Sequence, residues 1–267
     1  MKSIEEIRQD FPPLQRQFDG KQVIYLDNAC MTLKPRQVLE AISYYYENLG
    51  ACGGKRSSHD FSRETQEKAG EARGKVAEFI GAEKKEVIWT RNTTEGVNLV
   101  ANALDLEGGN VVASNLDHHS GILPFWKLQE RVGTELRIVE ADENGFFDVE
   151  DWKEEIDSDT ELVSLIHVSN ATGTEAPVEE IVEIAHDNGA RVLLDGAQSV
   201  PHQSVDVKQL DVDFLAFSVH KMLGPTGMGV LYGKEQLLED MDYFMVGGDT
   251  VRDVDYNDGY LEPEFLS

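Results

Sequence analysis

Seven short apolar or β-branched runs, separated by helix-like stretches, restrict the folds open to this chain more than any other feature. They are Glu86–Thr90, Asn110–Ser114, Glu135–Val139, Leu162–Val168, Arg191–Leu194, Phe214–Phe217 and Gly229–Tyr232. Between several of them the spacing predicts helices over Glu95–Leu104, Ile122–Val132 and Val178–Asn188. Alternation of this kind builds an α/β fold, a mostly parallel sheet with helices on both faces. Ligands of such sheets bind beyond the carboxyl ends of the strands. Polar residues collect at those points: Thr90–Thr94, Ser114–His118, Val168–Asn170, Asp195–Gln198 and Ser218–Lys221.

The first eighty or so residues are organised differently. A short helix over Ser3–Gln9 precedes Phe11-Pro-Pro13, and Val23-Ile-Tyr-Leu26 predicts a strand. A helix is expected around Arg36–Asn48, then a glycine-rich loop at Gly50–Gly54 and a long helix ending near Ile80-Gly81. After Gly247-Gly248 the sequence turns polar, and no further helix or strand is expected. With 267 residues, 40% hydrophobic, the chain is long and apolar enough to bury a substantial core. No apolar run nears the ~20 residues of a membrane span. The charged start, Met1–Arg8, lacks the apolar centre of a secretory leader. Two cysteines, Cys30 and Cys52, argue against a disulfide framework and for a reducing cytoplasm. The 50 acidic residues outnumber 24 basic ones, for a net charge of −26. That field repels phosphate backbones and disfavours a nucleic-acid partner. The acids are dispersed, as in the solvated shell of proteins adapted to high salt.

The chemistry centres on two positions. Asp195 ends one apolar run, so its carboxylate is expected to be partly buried and to need a cation or donors. Lys221 follows the next run, flanked by Ser218, His220 and the turn Gly224-Pro-Thr-Gly-Met-Gly229. An amine and a carboxylate at the ends of neighbouring buried strands are the pair pyridoxal 5′-phosphate (PLP) requires. The amine condenses with the aldehyde, and the carboxylate pairs with the pyridine nitrogen. Gln198 is placed to donate to the ring oxygen. Asn92 with Glu95 has the spacing of a capping box, and Thr93 and Thr94 at that helix start suit a phosphate. In Asp117-His118-His119, metal binding is disfavoured, because adjacent side chains rarely reach one ion and no third ligand follows at suitable spacing. Ring stacking or proton transfer by His118 fits better. The glycine-rich turn lacks the Gly-Lys-Ser/Thr of a P-loop, and Tyr232 stands where a dinucleotide fingerprint needs glycine.

Together these segments resemble the class V aminotransferase family of fold-type-I PLP enzymes, and within it the cysteine desulfurase and selenocysteine lyase branch. The resemblance is carried by Tyr25–Ala29, Arg56–His59, Asn92–Ala101, Asp117–His119, His167–Gly173, Leu194–Gln198 and Ser218–Gly227, in family order from about residue 20 to residue 250. It implies that residues 21–250 form the PLP-binding large domain, after an N-terminal segment at 1–20. Residues 251–267 would begin the following region, with the small C-terminal domain absent. It further implies that Lys221 holds the cofactor and carries protons, that His118 stacks on the ring, and that Asp195 and Gln198 contact its nitrogen and oxygen. Thr94, Ser218 and His220 would bind the phosphate, with Thr93 their neighbour. Asn170 would lie near substrate and cofactor. Ala29 and His59 would line the substrate mouth, and Arg56 and His59 would serve across the interface of a homodimer. The implied reaction removes sulfur from cysteine, or selenium from selenocysteine, leaving alanine, with a protein as the possible sulfur acceptor.

The resemblance implies that the family's sulfur-accepting cysteine and carboxylate-binding arginine would lie beyond this chain. Both cysteines read first as inert structural thiols; as substitute acceptors, Cys52 is preferred to Cys30, because Lys55 and Arg56 lie near it in sequence. Other class V activities and a non-catalytic PLP-binding remnant are the alternatives.

Overall fold

A computed structural model describes residues 2–54, 58–106, 108–247, 250–257 and 260–265. The short helix α1 (Ile4–Gln9) starts from a full capping box, in which Ser3 and Glu6 satisfy each other's backbone N–H. Two small strands, β1 (Gln17–Phe18) and β2 (Lys21–Gln22), pair antiparallel. Helix α2 (Arg36–Tyr44) runs on into a π-turn, Tyr45–Leu49, closed by left-handed Gly50. The long helix α3 (Asp60–Phe79) follows.

The central sheet is then laid down with its covering helices. In chain order these are β3 (Val87–Thr90), α4 (Thr93–Ala103), β4 (Asn110–Ser114), α5 (His119–Val132), β5 (Glu135–Val139), α6 (Val149–Glu155) and β6 (Thr160–Ile166). The series continues with α7 (Val178–Asp187), β7 (Arg191–Asp195), α8 (Val207–Leu210), β8 (Phe214–Ser218), β9 (Gly229–Gly233) and α9 (Glu235–Asp240). The seven strands lie in the order β3-β9-β8-β7-β6-β4-β5, and only β9 runs antiparallel to its neighbours. Every one of the seven apolar runs is thus a strand of one mostly parallel sheet.

Both faces of that sheet are covered, which explains why β7 and β8 are apolar without alternation. Successive side chains point to opposite faces. Val192, Leu194, Leu215 and Phe217 join one core with Trp152 of α6 and Ile181 and Ala185 of α7. Leu193, Phe214 and Ala216 join a second core with Val97 and Val100 of α4 and Phe125 and Leu128 of α5. Gly96 lets α4 approach closely, since an added Cβ would sit 3.1 Å from the Ala216 methyl.

Two expectations fail. Val23–Leu26 is not a strand but irregular chain, with Ile24 and Leu26 84% and 87% exposed. A strand needs a ladder partner for its N–H and C=O groups, and β1 and β2 pair only with each other. The polar end does form structure: β10 (Val251–Asn257) and β11 (Tyr260–Phe265) make an antiparallel hairpin. Its apolar residues are scattered among acidic ones, so no apolar run announces it. No helix among the described residues is long and apolar enough to cross a membrane.

Candidate active site

The loops leaving β3, β4, β6, β7 and β8 converge on a cavity of about 490 Å³ at the carboxyl edge of the sheet. Asn92, Thr93, Thr94, His118, Asn170, Asp195, Gln198, Ser218, His220 and Lys221 all border it, and Asp27, Ala29 and Cys30 form a wall from the N-terminal segment. Of the expected site residues, His59 is not in this lining. It caps α3 instead, its Nδ1 accepting the Ser62 N–H at 3.3 Å. Arg56 lies outside the described residues.

Asp195 sits at the C-terminal end of β7, 5% exposed. Burial raises its pKa, while the Ala197 N–H (2.9 Å to Oδ1) and the charges of Lys221 and His118 pull it back. No hydrogen bond reaches Oδ2 among the described residues. A carboxylate so placed is completed by a cationic ring nitrogen in the cavity. Lys221 closes the 3₁₀ turn Val219–Lys221 directly after β8. The strand beside it, β9, begins at Gly229, where an added Cβ would come within 2.5 Å of Asn92 Cα. Glycine there allows the β3–α4 turn to close over the sheet edge.

That turn forms the anion end of the cavity. The Asn92 side chain caps α4 by accepting the Glu95 N–H at 2.9 Å. The expected capping box is only half made, because the Glu95 carboxylate turns to Arg91. The Thr93 N–H and hydroxyl are both taken by Ser218 Oγ, at 2.9 and 2.7 Å, which ties α4 to the end of β8. The Thr94 N–H finds no acceptor among the described residues, so it points a free donor from a positive helix end. His220 stands beside it, its pKa lowered by burial and by neighbouring Lys221 and Lys34.

His118 is the N-cap of α5, its Nδ1 accepting the Ser120 N–H at 3.2 Å. Ser120 Oγ lies 2.9 Å from that nitrogen and 2.7 Å from Thr94 Oγ1, so one hydroxyl joins the imidazole to the anion end. The sequence reading missed Ser120, whose only signal was its position two residues beyond His118. It also passed over Asp117 as a single residue. This carboxyl is buried, with Oδ2 accepting the Ser114 N–H (2.7 Å) and hydroxyl (2.6 Å) and Oδ1 unpartnered among the described residues. Burial pushes its pKa up to about 7 against the pull of Ser114, and the charge of Asp195 pushes the same way.

Gln198 borders the cavity, and its Nε2 gives one of its two hydrogens to the Ala29 carbonyl at 2.8 Å, which fastens the N-terminal wall. Both thiols are exposed and free, and of the two Cys30 borders the cavity. No group of three or more His, Cys, Asp or Glu among the described residues is disposed to hold a metal ion.

The model of the aminotransferase class-V family matches residues 24–264. The chain belongs to this family, whose enzymes depend on PLP. It is 41% identical to a cysteine desulfurase of Haloferax volcanii, an alignment covering 97% of this chain and 65% of that protein. It superposes on the apo structure of cysteine desulfurase from Thermococcus onnurineus with a TM-score of 0.88 and 39% identity, over 99% of this chain and 65% of that one. A C-DES variant with glycine covalently linked to its PLP cofactor gives a TM-score of 0.82 at 26% identity, over 97% of this chain and 66% of that one. The chain therefore spans about 65% of the length of the relatives it matches.

The cavity fits the cofactor at three points. A buried carboxylate would pair with the ring nitrogen, an amine stands at the end of the next strand, and a helix N-terminus offers a free N–H to a phosphate.

Proposed function

We propose that this chain carries the PLP site of a cysteine desulfurase, with residues 21–250 as the cofactor-binding unit. The observation that carries the reading is the placement of Asp195 and Lys221 at the ends of adjacent parallel strands, lining one cavity with the anion-binding start of α4. The names of its relatives supply the substrate class. When bound, PLP supplies an electron sink for the carbon beside the amino group.

The chain's own residues provide the rest. Asp195, driven toward its neutral form by burial, regains its charge beside a cationic ring nitrogen. Thr94, Ser218 and His220 would hold the phosphate, with Thr93 fixing Ser218. Lys221 Nζ would take up and return the proton of the substrate carbon. His118, oriented by Ser120, would stack on the ring, and Asn170, which borders the cavity, would face the substrate. A thiolate then attacks the substrate sulfur. The new S–S bond forms as the C–S bond breaks, and the carbon takes the electron pair and a proton to become alanine.

The same reading makes the protein a cytoplasmic homodimer that hands sulfur to an acceptor protein. Two unpaired cysteines and the exposed Ile24, Leu26 and Tyr46 are in keeping with it. Adding PLP to the purified chain is expected to give a visible absorbance band, and borohydride to fix the label on Lys221. Lys221→Ala should abolish both, and cysteine with a thiol reductant should yield alanine. A band that persists in Lys221→Ala would overturn the lysine assignment. Failure to form alanine with an intact band would leave cofactor binding standing and remove the desulfurase reading for this chain.

A further inference from the structure

The loop that carries Lys221 is gripped from the far end of the sequence. The peptide carbonyl of His220 receives three donors: the Thr32 N–H (3.1 Å), the Thr32 hydroxyl (3.1 Å) and Lys34 Nζ (2.9 Å). Lys34 also donates to the Thr32 carbonyl at 2.5 Å, which folds the clasp on itself. The Thr32 hydroxyl, having donated to His220, accepts the Leu223 N–H at 2.8 Å, so both its donor and an acceptor site are used. Thr32 is 6% exposed. Leu223, held by that bond, has φ of +71°, a conformation L residues rarely adopt. The clasp thus brackets Lys221 on both sides in sequence.

We propose that Thr32 and Lys34 are positioning residues that set the direction of the Lys221 side chain into the cavity; this rests on Lys221 being the cofactor lysine. The His220 carbonyl and the Lys221 N–H belong to one planar peptide, so fixing the oxygen fixes the plane from which the Lys221 Cα departs. Lys34 contributes a second effect, since its charge helps keep His220 neutral. Neither residue borders the cavity, so each acts through the backbone and the field rather than by touching a ligand.

The test compares wild type with Thr32→Val, Thr32→Ser and Lys34→Met, each as the full chain. One arm measures the rate at which PLP with borohydride labels Lys221, mapped by mass spectrometry. Thr32→Val and Lys34→Met are expected to slow labelling about tenfold or more, the scale on which small misplacements cost rate. Thr32→Ser, which keeps the hydroxyl, restores it; a purely space-filling role for Thr32 would favour valine instead. A second arm, without cofactor, measures hydrogen exchange over residues 219–224, expected to quicken in Thr32→Val and Lys34→Met and to stay near wild type in Thr32→Ser. Equal labelling rates in all four proteins overturn the proposal. If wild type takes no label on Lys221, the cofactor reading falls, and the exchange arm decides the clasp alone, unchanged exchange refuting it. Should Lys34→Met not fold, the valine and serine pair at Thr32 decides the matter by the same criteria.

Discussion

Replacing Asp117 by asparagine should make this protein's stability less sensitive to pH in a direction opposite to ordinary acid denaturation. The carboxyl is buried within the β4–α5 turn, takes two bonds from Ser114, and feels the negative charge of Asp195. Its pKa is pushed from 3.8 up to about 7, chiefly by burial. Because the folded value lies above the unfolded one, the contribution is fully present below pH 3.8 and is lost as pH rises through about 7. The shift corresponds to about 4 kcal/mol in all, of which about 2.5 kcal/mol falls between pH 5 and pH 8. In a domain of this size that is roughly 5–10 °C of melting temperature. Asparagine keeps the shape and the two bonds from Ser114 but buries an amide without an acceptor, a pH-independent cost of about 1–3 kcal/mol. Thermal melts of both proteins at pH 5, 6, 7 and 8 in one salt concentration isolate the group together with its coupling to Asp195, since titrations that do not interact with Asp117 cancel in the difference. The variant should be the less stable protein at pH 5 and should gain on wild type by about 2.5 kcal/mol by pH 8. Parallel curves across that range would mean Asp117 is ionised throughout, and the argument from burial would be wrong.

Three further outcomes follow from named contacts. Glu86 is buried, and Lys208 Nζ lies 2.5 Å from it, so Lys208→Met should cost about 3 kcal/mol by leaving that carboxylate without its cation, measured by urea unfolding. Ser120→Ala cuts the link between His118 and Thr94 at little cost to folding; PLP affinity should fall by several-fold, the worth of about 1 kcal/mol for a lost hydrogen bond, while the melting temperature of the unliganded chain stays within a degree or two. With a net charge of −26, raising KCl from about 0.1 M to about 1 M shrinks the screening length from about 10 Å to about 3 Å and should raise the melting temperature; insensitivity to salt would count against self-repulsion.

The sheet was legible because its evidence is local. Each run from Glu86 to Tyr232 is short, apolar and bounded by turn residues, and both faces are covered, so β7 and β8 needed no alternation to be recognised. Helix α4 begins at Thr93, as the Asn92 cap indicates, two residues before the start that apolar spacing alone gives, because its first turn opens on two threonines. Val23–Leu26 misled for the converse reason: its residues favour an extended backbone, yet pairing depends on a neighbour that local sequence cannot reveal. The hairpin β10–β11 escaped because no apolar run marks its strands in the sequence.

In the site, legibility divides along the same line. Asp195, Ser218, His220 and Lys221 could be read because each sits within a few residues of the strand that delivers it. What fixes them could not. Gln198 also ties down the N-terminal wall through the Ala29 carbonyl, 169 residues away in sequence. The clasp on the His220 carbonyl joins positions 188 residues apart through Thr32. Both contacts come from the irregular stretch that follows Val23–Leu26, which holds no helix or strand up to Pro35. Its Ala29 carbonyl, Thr32 amide and hydroxyl and Lys34 amine are committed to no ladder or helix, so they bind the ends of β7 and β8 across the fold, and no local pattern in the sequence announces them.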